Sequence, residues 1–527
     1  PPQAAARQLI DALQHPERYP HPVERVQVIE THISWVLLAG DFAYKIKKPV
    51  NLGFVDFSTL ELRRRYCEEE IRLNSRLAPS IYLDAVAIRG APERPAFTGH
   101  ARIIEYAVRM RRFPDDALAS RMLAAGRLTP AHVVQLAGRI ADFHAVAPVA
   151  PAAEPYGEPH TILRNALENI TPILAHSALD EDRLKLQALW QGTERHFELL
   201  HERFSERKRG GFVRECHGDL HLGNIALLGG EMSAFDGIEF NDHLRWIDVM
   251  NEIAFTVMDF TAHGRRDLAS LFLNTYLERT GDYEGLAVLP YYTVYRALVR
   301  AKVECLRALA GGDGSRRLPA EAGRYLDLAG TSVHPRKPAV VIMHGLSGCG
   351  KTTVAAELMQ SLGAIRIRSD IERKRLAGME ALARSPSGVG NGLYDANATQ
   401  ATYDRLAQLA RLILESGNPV IVDAAFLQCR HRNAMRALAD EMHIPFSIVS
   451  LKAPGDALRE RVARRAAAGS DASDAGIDVL AHQFRTQEPL SESELLSTLT
   501  VDTSRPLASA EWQACVRDLA ARTGQQR

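Results

Sequence analysis

The sequence predicts an α+β domain with a β-rich first lobe and a helical second lobe, followed by an α/β domain built on a parallel sheet. Three observations carry this. Residues 26–48 read as strands and the chain from Thr129 onward reads as helix, so the two element types are segregated early on. Beyond a boundary near residue 335, short apolar runs alternate with helical stretches, the pattern of a parallel sheet. The length of 527 residues also exceeds what one hydrophobic core normally supports.

In order, Val26–Lys48 reads as strands divided by a Gly40-Asp41 turn. Leu60–Leu77 has apolar residues at helical spacing, and strand-like runs follow at Ala85–Arg89 and Ile103–Met110. Helical stretches cover Ile162–Arg207, broken at Thr171-Pro172 and near Ser177, and then Arg266–Ala310. Gly311–Ser315 and Thr331–Pro338 have linker composition and flank a short helix at Ala320–Leu328. The expected domains are thus 1–335, with an N-lobe about 25–112, a helical C-lobe about 113–310 and a linker about 311–337, and then 338–527. In the second, the run Ala339–Met343 and those at Ala364–Arg368, Pro419–Val422 and Phe446–Leu451 are the expected strands.

Composition narrows the function classes. Charge is balanced at 64 basic and 64 acidic residues, so no global field attracts nucleic acid or an anionic membrane. A nucleic-acid end would need a local basic groove, for which Arg366, Arg368, Arg373, Lys374 and Arg375 are the candidates. The six cysteines form no CxxC pair, which predicts a reducing, cytoplasmic setting without a disulfide framework or zinc site. No apolar run approaches the ~20 residues needed to span a bilayer.

Two constellations carry chemistry. The first is His217-Gly218-Asp219-Leu220-His221-Leu222-Gly223-Asn224, with Asp236 twelve residues further on. H-x-D-x-x-x-x-N is the spacing of a kinase catalytic loop: Asp219 orients or deprotonates an acceptor hydroxyl, while Asn224 and Asp236 are oxygen-bearing ligands for a magnesium ion on ATP. His217 is expected to brace the loop. Such a lobe needs a cation on the phosphates and an acid to hold it. Lys45 is the candidate cation, with Lys47 on the same strand face as the alternative. Glu70 is preferred over Glu68 and Glu69 as the acid.

The second is Gly345-Leu346-Ser347-Gly348-Cys349-Gly350-Lys351-Thr352, a G-x-x-x-x-G-K-[ST] loop between a strand-like run and an amphipathic stretch. Backbone N–H groups of Gly345, Ser347, Gly348, Cys349, Gly350 and Thr353 surround phosphate in this arrangement, with Lys351 on the β/γ oxygens and Thr352 on magnesium. Carboxylates at strand C-termini face the ligand crevice of an open α/β sheet. Asp423 suits the magnesium shell and Asp370 suits an acceptor hydroxyl as base; a helix N-cap is the alternative role for each. Arg459, Arg461, Arg464 and Arg465 lie on one expected helix that runs into the small-residue stretch Ala466–Ala475. Arg461 and Arg465, four apart, are the candidates for arginines closing over the γ-phosphate.

The first constellation, preceded by a β-lobe and followed by Phe235-Asp236-Gly237-Ile238-Glu239-Phe240, resembles the aminoglycoside phosphotransferase family, a branch of the protein-kinase-like fold. The resemblance covers about residues 25–310. It implies that Asp236 binds metal, that Asp248 is a structural acid and that adenine meets a hinge near Val108–Phe113. The family's glycine loop is missing; Glu30-Thr31-His32-Ile33-Ser34 stands there, so Thr31 and Ser34 hydroxyls or backbone amides are expected to cradle phosphate. The remainder, about residues 338–525, resembles P-loop kinases of small molecules and polynucleotide 5′ ends. The whole chain resembles bacterial bifunctional proteins that fuse two such domains. The resulting expectation is an ATP- and Mg2+-dependent phosphotransferase with two modules acting on small hydroxyl-bearing metabolites, with Glu168, Asp180 and Glu181 available for a cationic acceptor. Its rivals are a single kinase regulated by an ATP-sensing P-loop domain and a kinase of nucleotide or polynucleotide ends. Interdomain coupling and homo-oligomer formation are left open by the sequence.

Overall fold

The computed structural model describes residues 2–53, 55–177, 179–311, 317–332, 337–379, 395–468, 476–505 and 509–525. The chain divides into two compact units, each discontinuous in sequence: Pro1–Asp259 with Tyr295–Tyr325, and Phe260–Val294 with Leu326–Arg527.

The first unit opens on a six-stranded antiparallel sheet. Its strands are β1 (Val26–Glu30), β2 (Ser34–Ala39), β3 (Phe42–Lys47), β4 (Tyr82–Ala91), β5 (Arg94–Ala96) and β6 (Ile103–Arg111), in the order β1-β2-β3-β6-β4-β5. The run expected to turn once turns twice. Thr31 causes the extra break: its N–H donates to Ser34 O (2.9 Å) and its hydroxyl accepts from Ser34 N (3.0 Å). Both faces of the sheet are covered. The helix Pro2–Ala12, in a stretch assigned no element from sequence, buries Leu9 and Ile10, with Leu13 just beyond its end, against Trp35, Leu37, Tyr44 and Ile46. On the other face the helix Leu60–Asn74, capped by Thr59 (Leu62 N to Oγ1, 3.2 Å), buries Cys67 against Leu38, Ala43 and Val108. An alternating strand has two faces to bury, so a second cover is required even where its sequence is short and polar.

The helical lobe includes Pro130–Val146, Asp180–Arg209 and Val249–Ala262. Two small two-stranded ladders break it: β7 (Val213–Glu215) pairs with β10 (Trp246–Asp248), and between them in sequence β8 (Ile225–Leu228) pairs with β9 (Glu231–Ala234) in a hairpin. They are too short for a periodicity argument, yet they flank and fix the segment 216–224.

In the second unit β11 (Val340–His344), β12 (Ile365–Arg368), β13 (Val420–Asp423), β14 (Phe446–Lys452) and β15 (Thr498–Asp502) form a parallel sheet ordered β12-β13-β11-β14-β15. The polar edge strand β15, Thr-Leu-Thr-Val-Asp, has no counterpart among the sequence-predicted strands. Residues 260–294, expected to belong with the first domain, pack here. Asn274, on the helix Arg266–Thr280, acts on the free edge of β12 as a strand would: its Nδ2 donates to Ala364 O (3.1 Å) and its Oδ1 accepts from Arg366 N (2.7 Å). An amide side chain offers the donor and acceptor that a sheet edge lacks.

Candidate active sites

In the first unit, Lys45 and Lys47 extend from the same face of β3 and share one acid. Glu70, fully buried, accepts from Lys45 Nζ (2.9 Å) and Lys47 Nζ (2.8 Å). Lys45 also pairs with Asp236, and Lys47 with Glu239. Glu69 turns instead to Arg72 and Arg245, and Glu68 to Arg64. Burial pushes the Glu70 carboxyl up, but the two ammoniums outweigh it and bring it down to about 2. At Glu239 burial prevails over Lys47 and its carboxyl stays raised.

Asp236 has φ of 61°, left-handed for a residue with a side chain. Such strain persists where the surroundings over-determine it, and here Tyr82 Oη accepts from Asp236 N (2.9 Å) while Asn74 Oδ1 accepts from Gly237 N (2.7 Å).

The loop bearing Asp219 hangs from buried acids. Glu252 accepts from His217 N (2.6 Å) and Gly218 N (2.9 Å), and Asp259 accepts from Leu222 N (2.9 Å). His144, Cys216 and Glu252 lie close enough together for a metal, but these two backbone donors already occupy the Glu252 carboxylate. His217 donates from Nε2 to Phe235 O (2.9 Å) and accepts from Asp219 N at Nδ1 (3.3 Å), a neutral tautomer that burial favours by lowering its pKa. Asp219 accepts from Asn224 Nδ2 at 2.8 Å, with His221 Nε2 at 3.4 Å. Burial raises the Asp219 carboxyl, and His221 with His217 and Arg296 more than offsets this, leaving it well below the usual range. Because Asn224 gives its amide to Asp219, its carbonyl oxygen could meet a hard cation, for which half-exposed Asp236, paired here with Lys45, would be the second oxygen.

Asp248 is held by Arg207 through two bonds (2.6 and 2.8 Å) and accepts from Met250 N, a wholly structural placement. The Thr31 and Ser34 hydroxyls bond one another at 2.8 Å. Glu168 is two-thirds exposed beside Arg164, and Asp180 and Glu181 are exposed in a helix's first turn.

In the second unit, β11 leads through residues 345–350 into the helix Lys351–Leu362. Two glycines are sterically required: a Cβ on Gly345 (φ 143°) would lie 2.8 Å from Leu451 O, and one on Gly348 (φ 84°) 2.8 Å from Leu458 O. A cavity of about 750 Å³ opens on this loop, lined by Ser347, Gly348, Gly350, Lys351, Thr352 and Thr353, and across it by Asp370, Asp423 and Arg465. Cys349 is buried in the core instead, beside Met343 and Leu458. Lys351 Nζ donates to Gly345 O (2.9 Å) and Leu346 O (3.0 Å), and Ser347 N donates to Gln483 Oε1 (2.8 Å).

Asp423, 5% exposed at the end of β13, has an Oδ2 with no hydrogen-bond partner among the described residues; Arg368 Nε stands 3.9 Å away. Burial raises its pKa despite Arg368 and Arg366. A buried, orphaned carboxylate oxygen beside the Thr352 hydroxyl fits the water shell of Mg2+. Asp370 sits in the first turn of the helix Ser369–Leu376, whose N-cap position is Arg368. Arg461, which lines the cavity together with Arg465, donates to Gly348 O (3.4 Å), Thr503 Oγ1 (3.1 Å) and Thr503 O (2.8 Å). The small-residue stretch after it lies partly outside the described residues. Of the candidates for a basic groove, Arg366 donates to Glu278 Oε1 (2.6 Å), Arg375 pairs with Glu372 and Lys374 is buried, while Arg373 lines the cavity.

Sequence reasoning missed Tyr82, Asn74, Glu252, Asp259, Glu278, Gln483 and Thr503. Each acts through tertiary proximity, and none stands in a motif. Glu239, within Phe235–Phe240, was within reach of the sequence signal.

Fold and sites together define a two-domain chain: a two-lobed, protein-kinase-like α+β domain joined to an α/β P-loop domain with a parallel sheet. Residues 340–490 match the AAA_33 family, described as an AAA domain. The chain is 33% identical over 456 residues to the uncharacterized protein Rv2004c of Mycobacterium tuberculosis (strain ATCC 25618 / H37Rv), covering 86% of this chain and 89% of that one. The same figures hold for Mb2027c of Mycobacterium bovis. It belongs to the family of these mycobacterial proteins. Among solved structures, a gluconokinase from Sinorhizobium meliloti 1021 is 22% identical and covers 35% of this chain and 95% of its own, with a TM-score of 0.26. A choline kinase from Cryptosporidium parvum Iowa II is 11% identical, covers 62% and 92%, and has a TM-score of 0.36. No helix among the described residues is long and apolar enough to cross a membrane.

Proposed function

We propose that this protein is an ATP- and Mg2+-dependent kinase with two modules, each transferring the γ-phosphoryl group to a hydroxyl of a small metabolite. The observation that carries the reading is the hydrogen-bonded setting of Asp219. Its carboxylate is ionised and oriented by Asn224 and His221, on a loop suspended from Glu252 and Asp259. At each site a bond forms between the acceptor oxygen and Pγ, the bond from Pγ to the β–γ bridging oxygen breaks, and ADP leaves. The hydroxyl proton passes to Asp219 in the first module and to Asp370 in the second. Lys45, held by Glu70, and Lys351 neutralise phosphate charge. Bound Mg2+ would supply further charge stabilisation on the phosphates, held by Asn224 and Asp236 in one module and through Thr352 and Asp423 in the other.

The regulatory alternative draws on one specific observation. Residues 260–294 belong to the second unit, yet in sequence they lie between Glu252 and Asp259 on one side and Arg296, which donates to Gly218 O (3.1 Å), on the other. The test is ATP consumption by the intact chain against a metabolite panel, repeated with Asp219→Asn, Lys351→Ala and both together. An acceptor-dependent signal that survives the double substitution undiminished would sink the assignment. Loss of first-site turnover in Lys351→Ala, with the fold intact, would favour the regulatory reading.

A further inference from the structure

Phosphoryl transfer in the first module gives no task to Lys47 or Glu239, yet their side chains are only 1% and 4% exposed. A charged side chain is buried where partners answer it, and here the partners form a ladder. β3 places Lys45 and Lys47 on one face, about 7 Å apart along the strand. Three acids interleave with them. Asp236 pairs with Lys45, Glu239 pairs with Lys47, and Glu70 gives one oxygen to each lysine, Oε1 to Lys45 (2.9 Å) and Oε2 to Lys47 (2.8 Å). The segment 236–239 is thus joined to β3 at both of its ends.

The two rungs differ in exposure. The Asp236 side chain is 46% exposed, whereas Glu70 and Glu239 are buried. The inner rung is anchored further: Arg245 donates to Glu239 O (3.2 Å), and the Lys47 ammonium lies 4.9 Å from the centre of the buried Phe57 ring, which meets Phe240 edge-on. Between the rungs, Asp236 N donates to Tyr82 Oη (2.9 Å), Gly237 N to Asn74 Oδ1 (2.7 Å) and Ile238 N to His217 O (2.9 Å). A buried ion pair seldom stabilises a fold more than apolar residues of the same volume would, and its best-attested use is to fix register.

We infer that Lys47 and Glu239 are positioning residues, whose pair holds the segment 236–239 against β3 and so sets where Asp236 presents its carboxylate to a divalent cation. This rests on the kinase reading of the first module. The left-handed backbone of Asp236, at φ 61°, requires over-determination of this kind, and the inner rung supplies it from the end remote from the ligand. Glu239 acts through Asp236 and not on the cation, because its own carboxylate is buried against Lys47.

The test uses the intact chain carrying Lys351→Ala, so that nucleotide binding reports the first module. Glu239→Met keeps the length of the side chain, removes the inner rung and leaves Glu70 with both lysines. Amide exchange of Asp236, Gly237 and Ile238, measured without nucleotide or metal, should become about tenfold faster while β6 is unchanged, the effect of losing a hydrogen bond between charged groups. Calorimetric titration with ADP at graded Mg2+ should show the Mg2+ requirement raised roughly tenfold or more, as when a group that orients a metal-binding residue is lost, with metal-free ADP affinity kept within about twofold. Glu239→Gln keeps an acceptor oxygen for Lys47 and should shift both readouts the same way by about threefold; it carries the test if Glu239→Met does not fold. Unchanged exchange overturns the inference, as does faster exchange with an unmoved Mg2+ requirement. Failure of the Lys351→Ala parent to bind ADP with Mg2+ sinks the kinase reading, and the exchange result then decides the inner rung alone.

Discussion

Glu70→Gln is the most informative single change in the first unit, because one buried carboxylate holds two lysines. The carboxyl falls from 4.5 to about 2 on folding. At about 1.4 kcal/mol per pH unit this corresponds to about 3 kcal/mol, within the roughly 3–5 kcal/mol typical when one partner of a buried ion pair is removed. The sign follows from the depressed folded pKa: the contribution is fully present above about pH 4.5 and is lost as pH falls toward 2. The substituted side chain would retain one acceptor oxygen but turn an amide donor toward an ammonium, so Lys45 and Lys47 could not both be satisfied. The assay is urea-dependent hydrogen exchange of β3 and the Leu60–Asn74 helix, at pH 7 and again near pH 3. Wild type should exceed the variant by about 3 kcal/mol at pH 7, with the gap narrowing in acid. The first-site ATP KM should rise alongside. A gap below about 1 kcal/mol at pH 7, or one that widens in acid, would refute the ion-pair account.

Three further outcomes are expected. Asn274→Ala removes both partners of the β12 edge, so the Arg366 amide should exchange at least tenfold faster, reflecting about 1–3 kcal/mol per unpaired group; unchanged exchange would mean another group takes the edge. Lys351→Ala should weaken one of two nucleotide sites by roughly 10–100-fold in equilibrium binding and leave the other intact. Asp423→Asn should raise the Mg2+ concentration for half-maximal second-site turnover. Since the folded Asp423 pKa is raised, its charge costs stability as pH rises through that pKa. The variant should therefore unfold at an equal or higher temperature at pH 7 without Mg2+.

Much of this molecule was legible in the linear sequence because its chemistry depends on local spacing. His217–Asn224 and Gly345–Thr352 are each a short loop of fixed residue spacing, so the loops can be recognised without a fold. The strands β3, β6, β11, β13 and β14 were recognisable from apolar runs, whereas β7–β10 and β15 were too short or too polar for any period to show. The cap on β12 was invisible because Asn274 bonds a strand about ninety residues away.

By itself the sequence determined the two motif-bearing loops, His217–Asn224 and Gly345–Thr352, and their order, because backbone turns and five- to eight-residue spacings are local. Only the tertiary structure decided that Lys45 and Lys47 share Glu70, that Arg461 bonds Thr503, and that residues 260–294 pack with the P-loop sheet. Those outcomes depend on which buried charge or backbone edge finds a partner across long stretches of chain. Desolvation makes such pairing compulsory but does not encode the partner's position in any local pattern.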